Sequence, residues 1–331
     1  DSWWDVYGSF LLIASICIVF LWKQYRSIPN TWNLFGISIG FCAIPIYIGS
    51  LLLQYDDFTH VLWRSRNLFG TTTVIRQDFP KLGLSFLELN HGTTIHGIEN
   101  LKKDESLEPT SYYSQSSGIH AAFAFLHQNQ HPLDVAAIGL GAGTLAVYLN
   151  SKDSITFYDI DPDVIKISQS FFNFVKESKG KVNIQEADGR LGLKGAKDKQ
   201  FDLIVVDAFS GDNIPFHLIT REAFDLYRQK LKPNGIVAFH ITNTFINLLS
   251  VTKDLSEHNA FYHLWVENHT DVQALILTAD WVLLSENPDL HTWIQNAKTY
   301  KVLNDKAIKP KMWTDDFNAV LPLLRFYREN A

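Results

Sequence analysis

In DVAAIGLGAG, residues 134–143, an apolar run ends in three closely spaced glycines. A short apolar run bounded by turn residues is typical of a buried strand. Glycines after such a strand let the backbone approach a ligand closely where the next helix begins. The stretch therefore predicts the first strand of a ligand-binding α/β sheet. The alternative is a tight strand–helix turn without a ligand.

The spacing of the glycines narrows the class of ligand. Gly139, Gly141 and Gly143 follow the pattern GxGxG, whereas dinucleotide sites use the longer GxGxxG, which accommodates a pyrophosphate. The shorter spacing favours the nucleoside pocket of enzymes that use S-adenosylmethionine or a related compound.

Strand-like and helix-like segments alternate over residues 118–331. Four further buried strands are predicted at ITFYDI (155–160), KVNIQEA (181–187), FDLIVVDA (201–208) and GIVAFHI (235–241). The segment 161–177 predicts a helix with Val164, Phe171 and Val175 on one face. Alternation of this kind implies a parallel, doubly wound sheet. The segments FYHLWVENH (261–269) and QALILTADWVLLSEN (273–287) predict a closing antiparallel pair.

Three carboxylates stand at successive strand ends of this sheet. Asp159 ends the second strand, 20 residues after Gly139, where a carboxylate can accept hydrogen bonds from both ribose hydroxyls. Asp188, followed by Gly189, ends the third strand, and Asp207 ends the fourth. Ligands of such sheets bind beyond the carboxyl ends of the strands. The acids are therefore predicted to face one nucleoside pocket.

The segment 66–117 has a different pattern, with β-branched residues in TTTVIRQD (71–78) and alternation in LGLSFLELNHGTTIHGIEN (82–100). These runs predict antiparallel strands joined by hairpins. The segment KKDESLEPTS (102–111) is a polar loop. A small β-strand domain is therefore expected over 66–117, before a Rossmann domain of S-adenosylmethionine type over 118–331.

The first 60 residues explain the low charge of the chain. Charged residues are 19% of the sequence, and none occurs over 6–22 or 27–55. About 20 apolar residues form a helix that crosses a bilayer. Residues 1–60 are therefore predicted to form a transmembrane hairpin, with spans at about 6–22 and 33–54. A cleaved signal peptide followed by a buried helix is the alternative.

This hairpin predicts an integral protein of the inner or plasma membrane, with the lipid bilayer as a partner and the large domain in the cytoplasm. Lys23 and Arg26 lie between the spans, and Arg64 and Arg66 follow the second span. The two pairs of positive charges predict opposite orientations, so the charges leave the orientation open. The 29 Lys and Arg residues against 35 Asp and Glu residues give a net charge of −6. That charge argues against a nucleic-acid partner.

Cysteine and histidine predict no metal site. The only cysteines, Cys17 and Cys42, fall in the two predicted spans. The twelve histidines form neither an HExxH motif nor a Cys/His cluster. His240 ends the fifth strand. It is predicted either to border the pocket or to have a structural role.

Several longer motifs resemble the spermidine synthase family, the polyamine aminopropyltransferases, and more narrowly the membrane-fused spermidine synthase-like proteins of bacteria. The resemblance covers roughly residues 66–322, with the motifs RSRNLFGTTTV (64–74), HGTTIHG (91–97), EPTSYY (108–113), VVDAFSGDNIPFHLITREAF (205–224) and WTDDFNAVLPLL (313–324). It implies a methyltransferase-like Rossmann fold with antiparallel C-terminal strands, a small N-terminal β-domain and a homodimer. It also implies attack of an amine on the aminopropyl carbon of decarboxylated S-adenosylmethionine, with release of methylthioadenosine.

The resemblance assigns roles to individual positions. It implies that Asp159 with Ile160 binds the ribose and that Asp188 with Gly189 binds the adenine. It implies that Asp207 and Asp212 are the acids of the gate segment and that Tyr112 and Tyr113 lie beside the amine. It places His91 and His96 at the end of the β-hairpin, on the substrate side.

Three positions depart from the family pattern, all on the amine side. Ala142 replaces an Asp in the glycine loop, His91 stands near another expected Asp, and Asp207 and Asp212 are five residues apart instead of three. Asp315 in the WTDD motif could restore negative charge to an amine pocket. The alternative for Asp315 is a first-turn acid of a helix capped by Thr314.

Three functions are compatible with these residues. The first is aminopropyl transfer from decarboxylated S-adenosylmethionine to a small cationic amine. The second is methyl transfer from, or lyase cleavage of, intact S-adenosylmethionine, because Ala142 relaxes selection for the decarboxylated form. The third is a non-catalytic accessory subunit of a membrane complex.

Overall fold

A computed structural model describes residues 59–92, 94–102, 107–208 and 215–324. Within these residues, twelve strands form two sheets, one of four strands and one of eight. The larger sheet lies between two layers of helices and carries most of the core.

Three strands of the four-stranded sheet lie in the segment 66–117 that the sequence predicted to be β-rich, and most of the first strand precedes that segment. Its strands follow chain order, and β3 pairs antiparallel with β2 and β4. Their bounds are β1 Thr59–Asn67, β2 Gly70–Phe79, β3 Leu84–His91 and β4 Thr94–Asn100. The division of the chain into domains at 66–117 and 118–331 stays a prediction.

The eight-stranded sheet has the order β12-β10-β11-β9-β8-β5-β6-β7. Strands β5 to β9 run parallel, and β9, β11, β10 and β12 are joined by antiparallel pairs. The predicted doubly wound sheet with antiparallel C-terminal strands is therefore present. The bounds are β5 Asp134–Ile138, β6 Ser154–Asp159, β7 Lys181–Glu186, β8 Phe201–Val206, β9 Leu231–His240, β10 Tyr262–Asn268, β11 Ala279–Ser285 and β12 Lys301–Leu303.

Side-chain alternation along the central strands produces a separate core on each face. Leu203 and Val205 of β8 join the cluster on one face, and Ile204 and Val206 join the cluster on the other. All six residues of β8 are buried, as expected for a parallel strand covered on both sides. The sheet is thereby a rigid base for the residues at its carboxyl edge.

Six helices pack against this sheet in the described residues: α1 Gly118–His127, α2 Pro162–Phe171, α3 Gly189–Lys194, α4 Arg221–Lys230, α5 Leu249–Asn259 and α6 Pro288–Asn296. Asp161, Asp188 and Thr220 cap the first turns of α2, α3 and α4 through their side chains. Capping oxygens satisfy backbone N–H groups that have no partner inside the helix.

The helix predicted over 161–177 ends early, at Phe171. The carboxylate of Glu99 accepts hydrogen bonds from the backbone N–H of Asn173 at 2.8 Å and from its side-chain amide at 2.6 Å. Phe172 and Phe174 are buried in a cluster with residues of β2 and β3. These tertiary contacts outweigh the helical periodicity of the sequence.

The membrane prediction is corrected. In the part of the chain that the structure describes, no helix is long and apolar enough to cross a bilayer. The longest helix there, Leu249–Asn259, has 11 residues and spans about 16 Å, against an apolar bilayer core of about 30 Å. The predicted spans at 6–22 and 33–54 lie outside the described residues.

Candidate functional site

A cavity of ≈ 240 Å³ opens at the carboxyl ends of β5, β6 and β8, next to β3 and β4. It brings together most of the positions predicted from the sequence. Predicted residues among its lining are His91, His96, Gly139, Gly141, Asp159, Ile160, Asp188, Gly189 and Asp207.

The glycine loop forms the floor of the cavity, and two of its positions exclude any side chain. Gly139 has φ 96°, and a Cβ there would lie 2.3 Å from the carbonyl oxygen of Asp207. Gly141 has φ 54°, and a Cβ there would lie 2.6 Å from the carbonyl oxygen of His96. Glycine alone combines these backbone angles with this close approach. After Gly143 the chain forms a short 3₁₀ helix, Thr144–Tyr148, instead of a full α-helix.

Asp159 is held against the glycine loop by backbone donors. Its carboxylate accepts the N–H of Leu140 at 2.9 Å and the N–H of Asp161 at 2.9 Å. Burial raises the pKa of Asp159 to about 6, although these two hydrogen bonds oppose the shift. Ile160 follows at the cavity wall with 48% of its surface exposed.

Asp188 has both oxygens engaged. One oxygen accepts the N–H of Leu191 at 2.9 Å and caps α3, and the other lies 2.9 Å from Nε2 of His217. Gly189 follows where a Cβ would lie 2.2 Å from the side chain of Ile138. The first residue of α3 is therefore packed closely against the end of β5.

The side chain of Asp207 is enclosed, with 4% of it exposed. The hydroxyl of Tyr113 donates to its Oδ2. Its Oδ1 lies 2.7 Å from Nδ1 of His240. A carboxylate held at both oxygens is fixed in orientation, because it cannot rotate without breaking one contact.

The two tyrosines are anchored through their backbones. The indole N–H of Trp281 donates to the carbonyl of Tyr112 at 3.0 Å, and the hydroxyl of Tyr148 donates to the carbonyl of Tyr113. Burial, and next the negative charge of Asp207, raise the pKa of both Tyr112 and Tyr113 well above the ordinary value. Both phenols are therefore neutral near pH 7 and can act as donors.

Two histidines from the small sheet complete the wall. The rings of His91 and His96 meet edge to face, with centroids 5.6 Å apart. Burial lowers the pKa of His96 to about 4, so this imidazole is neutral near pH 7. Its Nε2 is buried without a hydrogen-bond partner among the described residues. A ligand group entering the cavity would give this nitrogen a partner.

Ala142, where the resemblance implies an acid, is buried against the small sheet. A Cβ added to Gly97 would lie 2.5 Å from the Cβ of Ala142. A longer side chain at position 142 has little room on that side. Position 142 therefore leaves little space for an acidic side chain on the side of the small sheet.

The prediction for Asp315 is corrected. Asp315 does not line the cavity. Its two oxygens accept hydrogen bonds from Arg190 at 2.7 Å and 2.8 Å, and one oxygen also accepts the hydroxyl of Thr220 at 2.7 Å. Hydrogen bonding to the Arg190 guanidinium lowers the pKa of Asp315. Its charge is thus neutralised by a structural pair.

The alternative for the WTDD segment is also wrong. Thr314 begins a turn, in which its N–H and carbonyl exchange hydrogen bonds with Phe317 at 2.8 Å and 3.2 Å, instead of capping a helix. Asp212, the other predicted acid, lies outside the described residues. Within the described ranges there is no group of three or more His, Cys, Asp or Glu side chains that could hold a metal ion.

The sequence interpretation left the role of His240 open, although strand pairing contains the relevant signal. β8 and β9 run parallel, with Val206 opposite Phe239. The next residue on each strand is Asp207 on one and His240 on the other. Carboxyl ends of neighbouring parallel strands meet at one edge, so this pair could have been predicted.

Comparisons with known proteins agree with this geometry. Residues 119–263 match the family model of the spermine/spermidine synthase domain. A polyamine aminopropyltransferase of Vibrio vulnificus is 31% identical over 130 residues, which are 38% of this chain and 42% of that protein. A polyamine aminopropyltransferase of Neisseria meningitidis is 28% identical over 165 residues, 49% of this chain and 61% of that protein. The chain thus spans about half the length of these relatives.

A solved structure supports the fold. The crystal structure of a probable spermidine synthase from Corynebacterium glutamicum aligns with a TM-score of 0.54 at 13% identity, over 76% of this chain and 95% of that one. The methyltransferase-like Rossmann fold predicted from the sequence is confirmed. The predicted resemblance to the spermidine synthase family is confirmed as well.

Proposed function

We propose that this chain, which contains a spermine/spermidine synthase domain, is an aminopropyltransferase. It would move the aminopropyl group of decarboxylated S-adenosylmethionine to a small cationic amine and release methylthioadenosine. The observation that carries the proposal is the placement of Asp207, a buried carboxylate at the cavity, directly behind the glycine loop. The acceptor, the homodimer and the site roles below belong to the proposal.

The nucleoside half of the cavity fits the ligand. Gly139 and Gly141 line the cavity and carry no side chain, so a nucleoside could lie against the backbone of the glycine loop. With a pKa of about 6, Asp159 is about 90% ionised at pH 7 and can accept hydrogen bonds from ribose hydroxyls. Asp188 and Gly189 lie at the adjoining wall, where the adenine would bind.

The reactive half needs alignment and a base, because a sulfonium is already a good leaving group. The nitrogen of the acceptor forms a bond to the aminopropyl carbon next to sulfur. The carbon–sulfur bond breaks, and its electron pair stays on the sulfur of methylthioadenosine. Asp207 takes the proton that the attacking nitrogen gives up. Its two hydrogen bonds hold it ready for this transfer.

The lining of the cavity favours a cationic acceptor. Asp207 supplies negative charge at the cavity, and its carboxylate would attract an ammonium group. The neutral His96 can accept a hydrogen bond from an ammonium through its ring nitrogen. This contact would partly replace the carboxylate that the family pattern has at the position of Ala142.

Two substitutions on one strand test the proposal. Asp207 follows β8, whereas Asp202 is buried near its other end and accepts the N–H of Asp134 and the ammonium of Lys232. Methylthioadenosine release from decarboxylated S-adenosylmethionine is measured with a linear diamine as acceptor. Asp207→Asn should lower kcat by at least about 100-fold, with little change in melting temperature. Asp202→Asn should lower the melting temperature and keep turnover.

Equal activity of Asp207→Asn and the wild type would contradict the assignment. So would an equal loss of activity in both variants at a temperature where both are folded. Intact S-adenosylmethionine is the control substrate, and turnover of the intact form in preference to the decarboxylated form would favour methyl transfer or lyase cleavage instead.

A further inference from the structure

We propose that His240 is a positioning residue for Asp207, and that Thr242 fixes the protonation of His240 so that it always presents a donor to the carboxylate. The proposal rests on the function assigned above to Asp207 and adds two residues to the machinery of that site.

The first contact joins the imidazole to the carboxylate. Nδ1 of His240 lies 2.7 Å from Oδ1 of Asp207, and the two side chains are 7% and 4% exposed. A hydrogen bond to an ionised group, sheltered from water, is among the stronger ones in proteins. The nitrogen must carry a hydrogen for this contact to stabilise the carboxylate.

The second contact decides which nitrogen carries that hydrogen. Nε2 of His240 lies 2.8 Å from Oγ1 of Thr242. The same oxygen accepts the backbone N–H of Asp280 at 2.8 Å. One lone pair of Oγ1 is taken by that N–H, and in the proposed arrangement the hydroxyl of Thr242 donates to Nε2, which is then an acceptor. The neutral ring is left with its hydrogen on Nδ1, facing Asp207.

The third feature fixes the plane of the ring. His240 is stacked between Tyr112, with centroids 4.5 Å apart and planes at 18°, and Trp281, with centroids 4.8 Å apart and planes at 22°. Both aromatic rings are buried. The imidazole cannot turn away from Asp207 without displacing one of them.

The expected consequence is a base that stays ionised and in place. Four titratable groups face Asp207 in the described residues. Tyr113, from the loop before α1, and His240, from β9, contact it directly. His96 and Tyr112 interact with it electrostatically. Of these, His240 supplies the donor to Oδ1. Without that donor the carboxylate is protonated more readily, so its activity as a base is lost at a higher pH than in the wild type.

The fold contains a matched control for this arrangement. Nδ1 of His263 lies 2.7 Å from Asp305, and its Nε2 lies 3.1 Å from Oγ1 of Thr252. None of these three residues lines the candidate cavity. Substitutions there remove the same kind of contacts from a buried histidine, so they report the structural cost alone.

The test compares His240→Phe, His240→Gln and Thr242→Val with His263→Phe and Thr252→Val. His240→Phe keeps an aromatic ring in the stack and removes the donor. We expect it to lower kcat about tenfold or more, to leave the KM for the nucleoside within twofold, and to move the acid limb of the kcat profile to higher pH. His240→Gln, which retains an N–H donor, should recover most of kcat, and Thr242→Val should show a smaller shift in the same direction.

The control variants should keep the wild-type profile. The proposal is overturned if His240→Phe keeps the wild-type pH profile, if His240→Gln is no better than His240→Phe, or if His263→Phe moves the profile equally. Stability losses are separated by recording each profile below the melting temperature of the variant.

A measurement without turnover separates this proposal from the proposed function. In ¹⁵N spectra of the wild-type protein, His240 should be neutral with hydrogen on Nδ1, and Thr242→Val should alter that signature. Hydrogen on Nε2 in the wild type overturns the proposal, whatever reaction the protein performs. Absent methylthioadenosine release with the expected tautomer present would contradict the aminopropyltransferase assignment alone.

Discussion

The raised pKa of Asp159 predicts that nucleoside affinity depends on pH. The carboxylate must be ionised to accept ribose hydroxyls, and its pKa in the folded protein is about 6 because of burial. The ionised fraction is then about 0.9 at pH 7 and about 0.1 at pH 5. The Kd for methylthioadenosine should therefore rise about tenfold between pH 7 and pH 5. Calorimetric titration at both values, with intermediate points, measures this slope.

Stability has to be recorded beside this slope, because Asp159 and His96 change it in opposite directions between pH 7 and pH 5. The pKa of Asp159 is raised from 3.8 to about 6, so the native protein binds more protons than the unfolded chain between these values. The contribution of Asp159 to the free energy of unfolding therefore falls as pH rises through that window and is greater at pH 5 than at pH 7. His96 acts in the opposite direction: burial lowers its pKa from 6.5 to about 4, so the unfolded chain binds more protons at this position and its contribution to the free energy of unfolding falls as pH drops from 7 to 5.

The variant Asp159→Asn isolates the contribution of this one group. It should bind methylthioadenosine more weakly at pH 7 and show a much flatter dependence on pH. An unchanged Kd for the wild type between pH 7 and pH 5 would refute the reasoning. An equally steep slope in Asp159→Asn would refute it too, because another group would then control binding.

Two further predictions test the glycine loop and the corrected role of Asp315. Gly139→Ala should lower the free energy of unfolding by at least about 2 kcal/mol, measured by denaturant titration. The reason is that φ of Gly139 is 96° and a Cβ there would lie 2.3 Å from the carbonyl oxygen of Asp207. Wild-type stability of this variant would contradict the geometry. Asp315→Asn should leave the KM for the amine within twofold and lower the melting temperature slightly, because Asp315 pairs with Arg190 and the pair is partly exposed. A tenfold rise in that KM would indicate that Asp315 contacts the amine after all.

The sheet could be predicted from the sequence because its signals are local. Apolar runs such as DVAAI and FDLIVV are long enough for one strand each, and they form β5 and β8. The acids Asp159, Asp188 and Asp207 could be placed at one edge because the carboxyl ends of parallel strands coincide. No knowledge of side-chain packing is needed for either inference.

The errors occurred where long-range contacts decide the outcome. The helix predicted over 161–177 ends at Phe171, where Asn173 is bound by Glu99, a residue distant in sequence. The partner of Asp315 is Arg190, 125 residues away. Hydropathy along the chain carries no information about such pairings.

His240 shows what knowledge of the strand order adds to a prediction from sequence. Once β8 and β9 are known to be parallel neighbours, Asp207 and His240 follow at adjacent positions. The stack with Tyr112 and Trp281 could not be predicted in this way, because Tyr112 lies in a loop and Trp281 is on an antiparallel strand. Local pattern thus placed the strand ends that carry Asp159 and Asp188 better than it placed the surroundings of Asp207.

The balance of products tests the proposed function most directly. The wild-type protein is incubated with decarboxylated S-adenosylmethionine and a linear diamine, and both products are quantified by mass spectrometry. The account predicts one aminopropyl group added to the amine for each methylthioadenosine released, and no such products in Asp207→Asn. Methylthioadenosine without an aminopropylated amine, or a methylated product from intact S-adenosylmethionine, would contradict it.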